Sequence, residues 1–156
     1  MKKISFVLFM VGILVFISCG KKKEEPVAQE TTAFQEVEHL TVQHILISFQ
    51  GAPRMTDVTR TLEEARELAK EILKRAKDGE DFDALVKEYT DDQHPGIYKM
   101  ANTDVTPDRE GGESSRGRMV KAFGDVSFSL SVGEIGMTEY SPETSMYGWH
   151  IIKRLE

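Results

Sequence analysis

Val42-Gln43-His44-Ile45-Leu46-Ile47 and Tyr147-Gly148-Trp149-His150-Ile151-Ile152 are the two stretches that decide the fold of this chain. Aliphatic and β-branched residues crowd both runs, and each run is too short for a helix, so both are predicted to be buried strands. Almost the whole folded region separates them, and each carries one histidine. We therefore expect the strands to meet at the centre of a sheet, with His44 and His150 in a shared site. The alternative is that two half-buried histidines simply satisfy each other.

The region between these strands alternates between helical and extended patterns. Thr61 and Glu64 have the spacing of a capping box, and apolar residues then recur at helical spacing up to Ala76. Two more helices and two more strands are predicted near residues 82–89, 119–128, 97–100 and 135–140. The long Gly- and Ser-rich segment 102–118 is predicted to be an irregular loop. This order of elements indicates an α+β fold.

The N-terminus has the pattern of an export signal. Lys2 and Lys3 precede the apolar run 4–18, which is shorter than the roughly 18 residues that cross a bilayer as a helix. Cys19 is the only cysteine, and Phe16-Ile17-Ser18-Cys19 resembles the lipobox of bacterial lipoproteins. That resemblance implies a signal peptide over 1–18, a lipid on Cys19 and attachment to a bacterial membrane at the cell envelope. An ordinary signal peptide with an incidental cysteine is the alternative.

Composition divides the remainder and excludes some functions. Residues 19–38 are polar and poor in aromatics, so they are predicted to be a flexible tether, and 39–156 has the length of one domain. The net charge is −6 without a basic stripe, which argues against nucleic-acid binding. The 4 histidines lack cysteine partners and the spacing of a zinc site, so no metal or cofactor is expected.

Several short motifs, in order, resemble the parvulin family of peptidyl-prolyl cis-trans isomerases. They lie at 44–47, 77–85, 89–92, 116–123, 128–135 and 147–153, and together they span the chain from Thr41 onward. The resemblance implies a parvulin-like fold within the FKBP-like superfold: a four-stranded antiparallel sheet surrounded by three to four helices. It also implies rotation of X–Pro bonds in unfolded or proline-containing polypeptides, and a part in the folding of exported proteins.

The same resemblance implies the catalytic residues. His44 and His150 match the family's paired histidines on the two central strands. Asp92 falls where relatives place a Cys or Asp beside the bound proline. Two purely structural interpretations stay open: the histidines could be architectural, and Asp92 could be only a turn residue.

Substrate-binding residues follow from the resemblance as well. Met119 and Phe123 match the apolar pocket for the proline ring, and Ser145 falls near a hydroxyl residue of the histidine network. The Gly-Gly-Asp-Leu-Gly run that usually follows the Asp92 position is missing, so Tyr98 or Met100 is expected to form that wall of the pocket.

The loop after the first strand bears on substrate choice. Ser48, Phe49 and Gln50 follow the strand, with Arg54 as a lone basic residue, so phosphate-specific recognition is not expected. A small or apolar residue before proline fits better. Two other functions remain open: a non-catalytic extracytoplasmic chaperone that uses the same groove, and an interaction lipoprotein whose site is inactive.

Overall fold

A computed structural model describes residues 37–156. The predicted signal peptide, the predicted lipidation site Cys19 and nearly all of the predicted tether lie outside these residues. No helix within the described part is long and apolar enough to cross a membrane. The elements are β1 (His39–Ile47), α1 (Leu62–Lys77), α2 (Phe82–Tyr89), β2 (Ile97–Ala101), β3 (Ser114–Ser115), a 3-10 turn (Arg116–Arg118), α3 (Lys121–Ser129), β4 (Ile135–Met137) and β5 (Trp149–Arg154).

The sheet has the strand order β3-β2-β1-β5-β4, with β1 in the middle. β1 pairs antiparallel with both β2 and β5, whereas β3 pairs parallel with β2 through Ser114 and Ser115. The α+β class is confirmed, and the described residues form three α-helices, as expected, but the prediction of a four-stranded antiparallel sheet is wrong. The described sheet is mixed and has five strands, because a two-residue strand inside segment 102–118 carries no period-2 pattern for the sequence to reveal.

Helices cover both faces of this sheet. Ile45 and Ile47 of β1 pack in one cluster with buried residues of α1 and α2. Leu40 and Val42, on the opposite face of β1, pack with Phe123 and Phe128 of α3. Side chains alternate between faces along a strand, so a strand covered on both sides can carry apolar residues at consecutive positions. This explains the continuous apolar run Ile45-Leu46-Ile47 at the end of β1.

Capping side chains define where the helices begin. Thr61 Oγ1 accepts from the Glu64 amide at 3.2 Å, and the Glu64 carboxylate accepts from the Thr61 amide at 2.7 Å, so the predicted capping box is present. Asp81 caps α2 by accepting from the Ala84 amide at 2.7 Å. α3 begins only at Lys121. Met119 therefore precedes the helix on which we expected it, at the end of the 3-10 turn.

Candidate active site

The two predicted histidines meet on the sheet face that α3 covers. In the β1–β5 register His44 lies opposite Ile152 and His150 lies opposite Leu46, which makes the histidines diagonal neighbours on one face. Their Nδ1 atoms are 3.2 Å apart, and the rings stack with an interplanar angle of 14°. Both side chains are buried. Two residues that are 106 positions apart thus form one side-chain pair.

Asp92 and Tyr98 extend this pair toward solvent. His44 Nε2 lies 3.0 Å from Asp92 Oδ2, and the Tyr98 hydroxyl donates to the same oxygen at 2.8 Å. The hydrogen bond from His44 lowers the pKa of Asp92 to about 2. Burial and the hydrogen bond to Asp92 raise the pKa of Tyr98 to about 12. At neutral pH the site therefore holds an ionised carboxylate and a protonated phenol.

Hydrogen-bonding capacity assigns the protons on the two rings. An ionised carboxylate only accepts, so His44 Nε2 carries a proton and donates to Asp92. Burial lowers the pKa of His150 to about 3, so this ring is neutral and carries one proton. We place it on Nδ1, where it is donated to His44 Nδ1. His150 Nε2 has no hydrogen-bond partner among the described residues, and a buried acceptor without a partner costs less than a buried donor without one.

A cavity of about 280 Å³ opens above this network. Phe123 forms part of its apolar wall and packs edge-to-face against His44 and His150, with ring centroids 5.2 and 5.3 Å away. The half-buried Met119 also lines the cavity, and its backbone amide donates to Arg116 at 3.0 Å to close the 3-10 turn. The cavity therefore combines an apolar wall with a hydrogen-bonded polar floor.

The structure brings together every predicted site residue of the domain except Ser145. The cavity lining includes His44, Asp92, Tyr98, Met119, Phe123 and His150. Met100, the alternative to Tyr98, is fully buried in the core.

Ser145 itself is fully buried and lies outside that lining, so the prediction that it contacts substrate is wrong. Its hydroxyl donates to the Gly148 carbonyl at 2.7 Å and lies 3.2 Å from the Thr138 hydroxyl. Thr138 Oγ1 in turn accepts from the backbone amide of His150 at 3.0 Å. These hydroxyls position the backbone of His150 and do not reach its ring.

Sequence reasoning missed five further lining residues: Leu46, Arg54, Met55, Val120 and Tyr147. The position of Leu46 two residues after His44 could have revealed it, because such residues share a strand face. Arg54 and Met55 lie in the β1–α1 loop, where Arg54 has a left-handed backbone with φ of 63°. Such a loop conformation leaves no periodic signal.

The chain is similar to known proteins in both sequence and fold. The family described as the PPIC-type PPIase domain matches residues 27–156, which starts ahead of the domain boundary expected at 39. Two solved structures share the fold. Peptidyl-prolyl isomerase ESS1 from Candida albicans is 22% identical with a TM-score of 0.57, covering 76% of this chain and 63% of that one. TbPIN1 is 26% identical with a TM-score of 0.51, covering 76% of this chain and 98% of that one.

Curated relatives are folding factors by name. Foldase protein PrsA 4 of Bacillus cereus is 34% identical over 142 residues, which are 87% of this chain and 45% of that protein. Chaperone SurA of Chromohalobacter salexigens is 34% identical over 115 residues, which are 72% of this chain and 21% of that protein. The chain thus spans less than half the length of these relatives. The family match over 27–156 confirms the predicted resemblance, and the chain belongs to the PPIC-type peptidyl-prolyl isomerase family, the parvulins.

Proposed function

We propose that this chain catalyses cis-trans isomerisation of X–Pro bonds in exported polypeptides at the cell envelope. The observation that carries the proposal is the pairing of an apolar cavity with the Asp92–His44–His150 hydrogen-bonded chain beneath it, on a domain of this family. Relatives named as a foldase and a chaperone support polypeptide clients. We propose unfolded or proline-containing chains as the substrates.

The reaction requires stabilisation of a twisted amide and involves no covalent step. Resonance keeps the X–Pro bond planar, and rotation meets a barrier of about 20 kcal/mol. The twisted state has lost that resonance and is less dipolar than the planar ground state. A cavity that strips water from the amide therefore favours the twisted state over the planar one, and binding of this differential kind accelerates the rotation.

Each cavity residue has a role in this scheme. Met119 and Phe123 hold the pyrrolidine ring by apolar contact, and Tyr98 closes one side. The His44–His150 pair fixes the floor of the cavity, since each ring is held by a hydrogen bond and by Phe123. Asp92 supplies a fixed negative charge beside the amide.

The amount of positive charge at the cavity bears on substrate choice. Apart from histidines, Arg54 is the one basic side chain among the described residues that line it. Binding of a phosphate group is favoured by several converging basic side chains, so a single guanidinium supports recognition that does not require phosphate.

We also propose that the chain is anchored to a bacterial membrane through a lipid on Cys19, after removal of a signal peptide over 1–18, with 19–38 as the tether. The lipobox-like sequence before Cys19 supports this, as does the apolar run 4–18. Metabolic labelling with a radioactive fatty acid tests the anchor. Incorporation into the wild-type chain and none into Cys19→Ala is expected, whereas label retained in Cys19→Ala would contradict the proposal.

The second candidate function is that of a chaperone, which binds unfolded chains without catalysing prolyl isomerisation. Two half-buried methionines, Met55 and Met119, line the cavity, and flexible thioethers suit the binding of varied apolar segments. Two assays distinguish these functions. One measures the refolding rate of a protein whose folding is limited by proline isomerisation, and the other measures aggregation of an unfolded protein whose folding is not limited in this way. Catalysed refolding that weakens in Met119→Ala supports the isomerase. Suppressed aggregation without catalysed refolding would support the chaperone.

A further inference from the structure

An ion pair joins two loops at the end of β1, outside the hydrogen-bonded network of the site. Arg60, just before α1, pairs with the carboxylate of Asp91, just after α2. The same carboxylate oxygen accepts from the Ser48 amide at 2.7 Å, and Arg60 Nη1 also donates to the Ser48 carbonyl at 3.1 Å. With side-chain exposures of 29% and 13%, the pair is partly shielded from water. Arg60, Asp91 and Ser48 thus form a closed arrangement, which we call the loop clamp.

The two charged residues of the loop clamp lie on chain segments that also line the cavity. We call these segments the Met55 wall and the Asp92 wall, after the lining residue that each carries. Asp91 immediately precedes Asp92. Arg60 is the last residue of the loop that carries Met55. The Gln50 amide donates to the Arg60 carbonyl at 2.8 Å, so the two ends of this loop are joined next to the clamp. The clamp therefore connects the Met55 wall to the Asp92 wall.

The two walls depend on the clamp to different degrees. The segment before Asp92 has further bonds to β1: the Asp91 amide donates to the Leu46 carbonyl at 2.8 Å, and the Leu46 amide donates to Thr90 Oγ1 at 3.1 Å. Thr90 Oγ1 also accepts from the Asp92 amide at 3.2 Å. Within residues 37–156, the hydrogen bonding of Met55 is limited to a local turn bond from its amide to the Ala52 carbonyl at 3.2 Å. Loss of the clamp should therefore release the Met55 wall and leave Asp92 in place.

We propose that Arg60 and Asp91 are positioning residues that set the separation between the Met55 wall and the Asp92 wall, and so determine peptide affinity. The proposal rests on the proposed function, because it concerns the same cavity. Removing either partner breaks the link between Arg60 and Asp91, so the loop that carries Met55 loses a tie to β1 and α2, while the Asp91 segment keeps its other hydrogen bonds to β1. The expected consequence is weaker binding of the peptide with an unchanged rate of rotation once it is bound.

The test measures affinity and rotation separately on the full chain with an Ala-Pro peptide. Titration gives the dissociation constant, and NMR exchange spectroscopy at saturating peptide gives the rate of rotation in the complex. Arg60→Gln should raise the dissociation constant about five- to tenfold, as for loss of a partly shielded charge pair, with the bound rate within about twofold of wild type. Arg60→Lys keeps the charge and should restore most of the affinity.

Two more variants keep the result interpretable. Asp91→Asn retains an amide oxygen for the Ser48 amide and should raise the dissociation constant in the same way, even if Arg60→Gln folds poorly. Arg66→Gln removes an exposed arginine that pairs with Glu63 on α1 and should change nothing. Equal affinities of Arg60→Gln and Arg66→Gln, or a loss confined to the bound rate, would overturn the clamp proposal. A wild-type chain that binds peptide without rotating it would refute the isomerase function, and the affinities would still test the clamp.

Discussion

The side chains of His44 and His150 connect the two central strands through an Nδ1–Nδ1 contact of 3.2 Å. This contact exists because β1 and β5 are adjacent and place both residues on the face beneath α3. One end of the pair meets an ionised carboxylate, and the other end is buried beneath Phe123. Because these surroundings shift the pKa values of His150 and Asp92, the protonation of both residues can be followed by varying the pH.

The buried His150 should make the protein sensitive to mild acid. Burial lowers its pKa from 6.5 to about 3 in the folded state. Between these values the unfolded chain binds the extra proton, so the free energy of unfolding should fall as the pH decreases from about 6.5 toward 3. His150→Gln should flatten this dependence in urea unfolding measured at a series of pH values. His94→Gln removes an exposed histidine and serves as the control; equal pH dependence in both variants would contradict the assignment.

The Tyr98 hydroxyl should help to hold the pKa of Asp92 low. Tyr98→Phe removes one donor to the carboxylate, so the pKa of Asp92 should rise from about 2 toward 3.8, as measured by ¹³C NMR of the carboxyl carbon. In the wild-type chain the stabilisation from Asp92 is present above the unfolded pKa near 3.8 and is lost as the pH falls through about 2. The variant should lose it at higher pH. Tyr89→Phe, which removes a hydroxyl bound by Arg75, should leave the titration of Asp92 unchanged.

Met119 should contribute to substrate binding more than to folding, because it is half-buried at the cavity and precedes α3. Met119→Ala should weaken binding of an Ala-Pro peptide by about 1–2 kcal/mol, which is roughly five- to thirtyfold in the dissociation constant. Isothermal titration calorimetry measures this directly. Met137→Ala removes a half-buried methionine outside the cavity lining and should leave the affinity unchanged. Similar losses in both variants would argue against a specific pocket.

The Thr138 hydroxyl should stabilise the strand that carries His150. Thr138→Val keeps the shape of the side chain but leaves the buried His150 amide without its acceptor, at a cost of about 1–3 kcal/mol in the free energy of unfolding. Thr138→Ser retains the hydroxyl and should lose much less. Chemical denaturation of both variants compares them, and equal losses would show that the methyl group, rather than the hydrogen bond, stabilises this position.

Particular residues show which parts of the structure were predictable from the sequence. The β1 and β5 strands were, because both sheet faces are covered and the apolar runs are therefore continuous. The pair of histidines followed from their places on those strands. Phe123 was placed at the cavity through the family resemblance, because an apolar residue on a helix face can equally well belong to the core.

Other features depend on contacts that no local pattern encodes. The parallel strand at Ser114 and Ser115 exists only because β2 offers an edge at Met100 and Ala101. Met55 reaches the cavity through a loop conformation, and Ser145 acts through the Thr138 hydroxyl. Tertiary contacts between distant segments decide all of these, so periodicity and capping signals could not reveal them.

We expect above all that the cavity binds an X–Pro bond and lowers its barrier to rotation. The most direct measurement is the cis-trans exchange rate of an Ala-Pro peptide in the presence of substoichiometric amounts of the full chain. We predict that the rate rises in proportion to the concentration of the chain and that Met119→Ala reduces this increase. An unchanged exchange rate, at concentrations where titration shows the peptide to be bound, would contradict the account.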